Sequence, residues 1–345
     1  MKFMLTYILV PLLALFSSCS KDGGSDGPPA AAPPTDLTLT AVVSTANNGN
    51  VDFTATATNA TNYEYDFGNG VFQNVPSGAI TYRYPASGNY TVKVIAKNAS
   101  TATINKTIII TVTVTQSLLW SDEFNIPGAP DPAKWVYDIG TGGGGWGNQE
   151  LQYYTSRPEN VIIEGGLLKI KSIRENFSGS TFTSARMKTQ GKFEFKYGKV
   201  EVKAKVPAGV GTWAAAWALG SNITTVGWPA CGELDIMEHL GRELNKVYGT
   251  LHYPGRSGGN ADGNSRMINN AATEFHVYST EWSASSVKIL VDGLLIHEVA
   301  NSTAIPFNHN FFLILNLAMG GNFGGPVDAG VNGGTMEVDY IRVYQ

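Results

Sequence analysis

The chain has 345 residues, with 24 Lys and Arg set against 28 Asp and Glu for a formal net charge of −4. That length allows two folded domains, and without a basic excess it carries no electrostatic footprint for nucleic acid. Only 15% of residues are charged, while 39 are glycine and 11% are aromatic, which suits short strands and tight turns and argues against long surface helices.

Met1-Lys2 opens the chain, and an apolar run from Phe3 to Phe16 follows, interrupted only by Thr6 and Pro11. A run of about 14 residues is short for a bilayer span. Its charged start, apolar middle and small-residue end (Ser17-Ser18-Cys19) give residues 1–18 the layout of a signal peptide. The end of the run resembles a bacterial lipoprotein cleavage site, although Phe16 departs from the stricter pattern. The resemblance implies that Cys19 becomes a lipidated first residue anchored in the outer membrane, with surface exposure suggested by Lys21-Asp22; plain secretion is the alternative. Cys231 is the only other cysteine, so a lipidated Cys19 leaves no intramolecular disulfide. Residues 19–35, rich in Gly, Ser, Pro and Ala, read as a flexible tether.

Residues 36–115 read as a small all-β module. Val51–Ala57 and Tyr90–Ala96 alternate or are β-branched, with turn residues between them. The strings Tyr63-Glu64-Tyr65-Asp66-Phe67-Gly68-Asn69-Gly70 and Tyr82 to Val92 resemble a PKD domain, an immunoglobulin-like sandwich, with Tyr65 where that family more often has Trp. The module holds no catalytic constellation; it is either a spacer or a glycan-binding unit.

Residues 118–345 form the large domain. Runs such as Gly191–Ala204 are β-rich and helical periodicity is almost absent, so an all-β sandwich or barrel is expected. Its chemistry concentrates in Gly232-Glu233-Leu234-Asp235-Ile236-Met237-Glu238-His239. On a strand Glu233 and Asp235 share a face, and Glu238 has the wrong parity to join them. One extra residue, a β-bulge at Met237, restores it. Glu233 and Glu238 then stand roughly 13 Å apart at Cα, and long side chains leaning inward can reach the ~5–5.5 Å carboxyl separation of a retaining glycosidase. Asp235 between them couples to both titrations, so that one carboxyl stays protonated while another is ionised. A solvated edge or a cation site would also gather acids, but Trp228, Pro229, Ala230, Cys231, Ile236 and Met237 make these flanks apolar.

At this segment the chain resembles glycoside hydrolase family 16 over nearly all of 118–345. The resemblance implies a β-jelly-roll sandwich with a long cleft, Glu233 as nucleophile, Glu238 as general acid/base and Asp235 as their charge-tuning partner. Further stretches resemble the laminarinase branch: Trp146–Thr155, Thr183–Arg186, Gly211–Trp217 (with Ala214 where Pro is common), Thr250–Tyr253 and Asn316–Gly321. Trp213, Trp217 and Trp228 suit the apolar faces of sugars, and Asn148, Arg186, His252 and Asn316 suit their hydroxyl rims. For His252 and Asn316 only the resemblance points that way.

The resemblance further implies a structural calcium ion held by the Asp339 side chain with backbone oxygens near Glu123 and Gly165, oxygen-only ligands being what calcium takes; alternatively Asp339 ties the C-terminal strand. No cofactor is expected for catalysis. The expected partner is a β-glucan polysaccharide, β-1,3-linked and also mixed β-1,3-1,4, cut by a monomer. An algal galactan as substrate, or a non-catalytic glycan-binding surface protein, is the rival reading.

Overall fold

The computed structural model describes residues 31–99 and 102–345. Cys19, the apolar run and most of the tether lie outside the described residues. Among the described residues no helix is long and apolar enough to cross a membrane.

The first unit is a two-sheet sandwich. Strands Thr35–Val43, Asn50–Thr58 and Ala79–Arg83 form one sheet, and Phe72–Asn74, Asn62–Asp66, Gly88–Lys97 and Thr103–Val112 the other. The period-two pattern decides which side chains meet: Val51, Phe53 and Ala55 are buried while Asp52 and Thr54 face out. Tyr65 takes the core place and satisfies its hydroxyl by donating to the Gly78 carbonyl at 2.7 Å.

The second unit stacks a ten-stranded sheet on a seven-stranded one, with one large apolar core and a small cluster of Leu219, Cys231, Phe312 and Ile314 apart from it. The seven-stranded sheet is antiparallel, in the order Asp262–Met267, Lys246–His252, Glu233–Leu240, Thr212–Gly220, Phe311–Met319, Arg186–Lys188, Val136–Asp138. Ala214, Ala216 and Ala218 alternate into the core and leave Trp213, Ala215 and Trp217 on the outer face. Cys231 is a buried free thiol.

The expected bulge is present, and its detail differs from the expectation. Leu234, Ile236 and Met237 all enter the core, so two consecutive residues point inward. Against Thr212–Gly220, Ala216 faces Met237 and Trp217 faces Asp235, which leaves Ile236, not Met237, without an opposite number. On the other side Asp235 pairs with Thr250 and Glu238 with Tyr248, so Ile236 and Met237 together span Gly249. A Cβ at Gly249 would lie 2.6 Å from Ile289 Cγ2, so only glycine lets the sheets close there.

Candidate active site

The bulge puts the three acids on the outer face in successive cross-strand rows. One row runs Tyr248, Glu238, Ala215, Asn316, Arg186, Asp138. The next runs Thr250, Asp235, Trp217, Ile314, Lys188, Val136. A third holds His252, Glu233, Leu219 and Phe312. Side chains directly opposite on neighbouring strands stand within contact range, so residues scattered from 136 to 316 become neighbours. Ala215, buried with a single methyl, is the smallest side chain in its row and lies between Glu238 and Asn316.

Each glutamate has an indole donor. Trp213 Nε1 donates to Glu238 Oε1 at 3.0 Å, and Trp228 Nε1 to Glu233 Oε2 at 3.0 Å. Trp228 is half exposed beside His252, with ring centroids 5.8 Å apart. His252 Nε2 lies 3.2 Å from Asp235 Oδ2 and 3.6 Å from Glu233 Oε1.

Burial pushes all three carboxyls up, each to about 8. For Glu233 the charge of Asp235 adds to the rise and His252 opposes it; for Glu238 Asp235 again adds, and the Trp213 N–H opposes it. Charges this close cannot all ionise together. Near neutral pH a protonated carboxyl therefore stands beside whichever member of the trio ionises.

The other expected sugar contacts divide. Trp213 and Trp217 share the outer face. Arg186 is sandwiched, its guanidinium carbon 4.6 Å from the Trp146 ring centroid and 4.8 Å from that of Trp217. Asp138 pairs with Arg186 Nε at 3.0 Å and with Lys188 Nζ at 2.6 Å. One face of Trp217 is therefore covered by protein, and Arg186 is a prop as much as a rim donor. Asn316 Oδ1 accepts from Trp217 Nε1 at 2.8 Å, and its Nδ2 donates to the Tyr154 hydroxyl at 3.1 Å. That hydroxyl donates to Glu150 Oε2 at 3.1 Å, and Glu150 also takes Gln152 Nε2 at 2.6 Å and Asn148 Nδ2 at 3.2 Å. Asn148 thus belongs to a network that fixes Asn316 and Trp217. Sequence reading includes Trp146, Glu150, Gln152 and Tyr154 in a stretch that resembles the laminarinase branch without giving them a role, and passes over Asp138. The period-two spacing of Glu150, Gln152 and Tyr154 is the one signal that marks three of them as a single face.

The residues expected to take calcium lie on the other sheet. Val338 pairs with Leu168 and Ile341 with Asp122, so the turn at Gly165 and the segment at Glu123 flank the last strand on one side, near Asp339. Asp339 falls at a register shift opposite Lys203 and Ala204, with its Oδ2 2.7 Å from Lys203 Nζ. The Glu123 carboxylate holds Arg342 Nε at 2.9 Å and Nη2 at 2.8 Å. Both side chains already have cationic partners, so the corner fits calcium only through main-chain oxygens and the second Asp339 oxygen.

A two-sheet β-sandwich that presents two donor-supported glutamates around a third carboxyl, among indoles and amides, has the parts of a two-carboxylate glycoside hydrolase. The family model for glycosyl hydrolases family 16 matches residues 148–342, and the chain belongs to that family. A PKD domain model matches residues 36–111. A beta-glucanase from Rhodothermus marinus is 43% identical over 244 residues, 66% of this chain and 85% of that protein. Glucan endo-1,3-beta-glucosidase A1 from Niallia circulans is 38% identical over 66% of this chain and 38% of its own length. The solved laminarinase from Rhodothermus marinus superposes with a TM-score of 0.64 at 42% identity, covering 67% of this chain and 98% of that one. Glucanases of this family need no catalytic cofactor.

Proposed function

We propose that the protein is a retaining endo-hydrolase of β-1,3-glucan that also accepts mixed β-1,3-1,4 linkages. The observation that carries the reading is the bulge, which turns Glu238 onto the face of Glu233 and Asp235 and gives each glutamate its own indole donor. Glu238 protonates the glycosidic oxygen while Glu233 attacks the anomeric carbon, giving a covalent glycosyl-enzyme. Glu238, now ionised, takes a proton from water, which displaces Glu233 with a second inversion. Asp235 keeps the two glutamates from ionising together. The indoles and the Asn316 amide meet the faces and hydroxyls of neighbouring sugar units.

The relatives named above are glucanases, and the charge pattern agrees with a neutral polymer. Lys188 and Arg186 share Asp138, so these cations are not free for a sulfated galactan. The test is incubation of the purified protein with laminarin, mixed-linkage glucan and galactans, with products sized and their anomeric configuration followed by NMR. Random internal cleavage of laminarin with retention is expected. Cleavage of galactan alone, or inversion, overturns the reading.

Around this activity we place a lipid anchor at Cys19 that holds a monomer on the outer membrane, a tether over 19–35, and the 36–115 module as a spacer. Acyl chains contribute about 0.8 kcal/mol per buried CH₂, so a multiply acylated cysteine stays on the membrane. A structural calcium ion, if bound, belongs to the Asp339 corner, where it would join the last strand to the segments at Glu123 and Gly165.

A further inference from the structure

His252 ends the strand Lys246–His252 directly opposite Glu233. Its two ring nitrogens have unlike neighbours. Nδ1 accepts the backbone N–H of Gly258 at 3.1 Å, while Nε2 faces Asp235 Oδ2 and Glu233 Oε1 at 3.2 and 3.6 Å. Two N–H groups cannot point at each other, so Nδ1 carries a lone pair and the ring proton sits on Nε2.

The loop that follows holds this arrangement. Beyond His252 the chain turns back, and Tyr253 and Arg256 close the turn with two mutual backbone hydrogen bonds of 2.9 Å. The Tyr253 hydroxyl donates to Asp262 Oδ2 at 2.6 Å. Gly258 then adopts φ +56°, a left-handed conformation that glycine takes freely, and it opens the short turn Gly258–Asn260. On the other side of the ring, Asp235 Oδ2 is buried and makes no hydrogen bond.

We infer that His252 is a neutral positioning residue, locked by the Gly258 N–H with its proton on Nε2, and that this N–H serves whichever of Asp235 and Glu233 is ionised. The inference rests on the reading of those two groups as catalytic carboxylates, and it replaces a hydroxyl contact to sugar as the role of His252. Ionised Asp235 needs a donor at the orphaned Oδ2, and Nε2–H reaches it by a small ring movement. When the charge passes to Glu233, the same donor stands on that side. The locked tautomer also decides a second matter. The ligand atoms of Glu233, Asp235 and His252 lie within 4.8 Å of one another, a spacing that could gather a transition-metal ion. A protonated Nε2 has no lone pair for a metal, so the cluster acts as a donor to carboxylates instead.

The charged groups that bear on the ring are Glu233, Asp235 and Glu238 from the neighbouring strand, while Arg256 in its own loop pairs with Asp262 and Arg186 across the outer face acts on Glu233. Trp228 faces it from the loop before Glu233, and Asp262 is taken up by Tyr253, Arg256 and His297.

The direct test is ¹⁵N-histidine NMR of the full chain, with the His252 signal assigned by its loss in His252→Gln. An Nε2-protonated neutral ring is expected across the active pH range. An Nδ1-protonated ring, or an imidazolium there, overturns the inference. In kinetics, His252→Phe removes the donor and is expected to lower kcat about 10-fold with KM little changed, and to move the acidic limb of the pH profile up by about one unit. His252→Gln, which keeps an N–H, should recover most of both. A folded Phe variant with an unmoved acidic limb refutes the idea, as does stoichiometric Zn²⁺ binding that displaces the Nε2 proton. Failure of the underlying catalytic reading would show separately, as an active Glu233→Gln enzyme.

Discussion

Replacing Trp213 by Phe keeps an aromatic ring at the sheet surface and deletes one donor. The lost bond is the 3.0 Å contact from the indole N–H to Glu238 Oε1, on a carboxyl only 8% exposed. A hydrogen bond to a charged group contributes about 1.5–3 kcal/mol. Since one pKa unit corresponds to about 1.4 kcal/mol, the loss should raise the Glu238 pKa by roughly one to two units. The sign follows from the state the bond favours: the N–H stabilises the carboxylate, so removing it favours the protonated acid. Glu238 must be protonated in the first step, so its titration sets the basic limb of kcat/KM. That limb should move to higher pH in Trp213→Phe, while the acidic limb, set by the nucleophile, stays near its place. The assay is initial-rate hydrolysis of a soluble β-1,3-glucan over a pH series well below KM. A basic limb that stays fixed or moves down would refute both the hydrogen bond's effect and the acid role of Glu238.

Other outcomes follow from the same site. Glu233→Gln should lose at least about 10³-fold in turnover while substrate binding persists, and azide should then yield a glycosyl azide of inverted configuration; near-normal turnover would remove Glu233 from the nucleophile's role. The acids are held above their ordinary range, so their stabilising effect is present below about pH 4.5 and fades as pH rises toward about 8. Glu238→Gln should therefore raise Tm by several degrees at neutral pH and leave it unchanged in acid, a difference that calorimetry at two pH values reads directly. Residues 118–345 alone should hydrolyse soluble glucan at close to the full-chain rate, and a large loss would mean that the 36–115 module shapes the site. A clickable palmitate analogue should label the wild type and not Cys19→Ala, and unlabelled wild-type protein found wholly in the medium would reduce the anchor to simple secretion.

Much of the site could be read from one eight-residue string. The parity clash of Glu238 with Glu233 and Asp235 demands an extra residue, because the side-chain period of a strand is fixed at two. Which residue is extra could not be read: Ile236 and Met237 are both apolar and both enter the core, and only the facing strands distinguish them. Trp213 and Trp217 were legible by spacing, but the cover on Trp217 was not. It comes from Trp146 and Arg186, brought together by pairing between strands far apart in the chain. The Gly258 donor to His252 had no sequence signature at all, since a backbone N–H belongs to every residue but proline. At Asp339 the residue type suits calcium, and the contact of its carboxylate with Lys203 was not legible because it depends on pairing between distant strands.

Asp138 is the one acidic partner of two cations in this part of the outer face. Its effect reaches the solution around the protein. Asp138 offsets one of the two cations and an ionised carboxyl of the acid trio, on which Arg186 also acts, offsets the other; a groove balanced in this way projects little field beyond a Debye length, about 8 Å at physiological ionic strength. Encounter with an uncharged polymer then depends on diffusion and on stacking, neither of which dissolved salt screens. The enzyme should therefore keep its capture rate from dilute buffer to brine, and Asp138→Asn, by freeing two cations, would make that rate depend on the saltiness of the water for any substrate that carries charge.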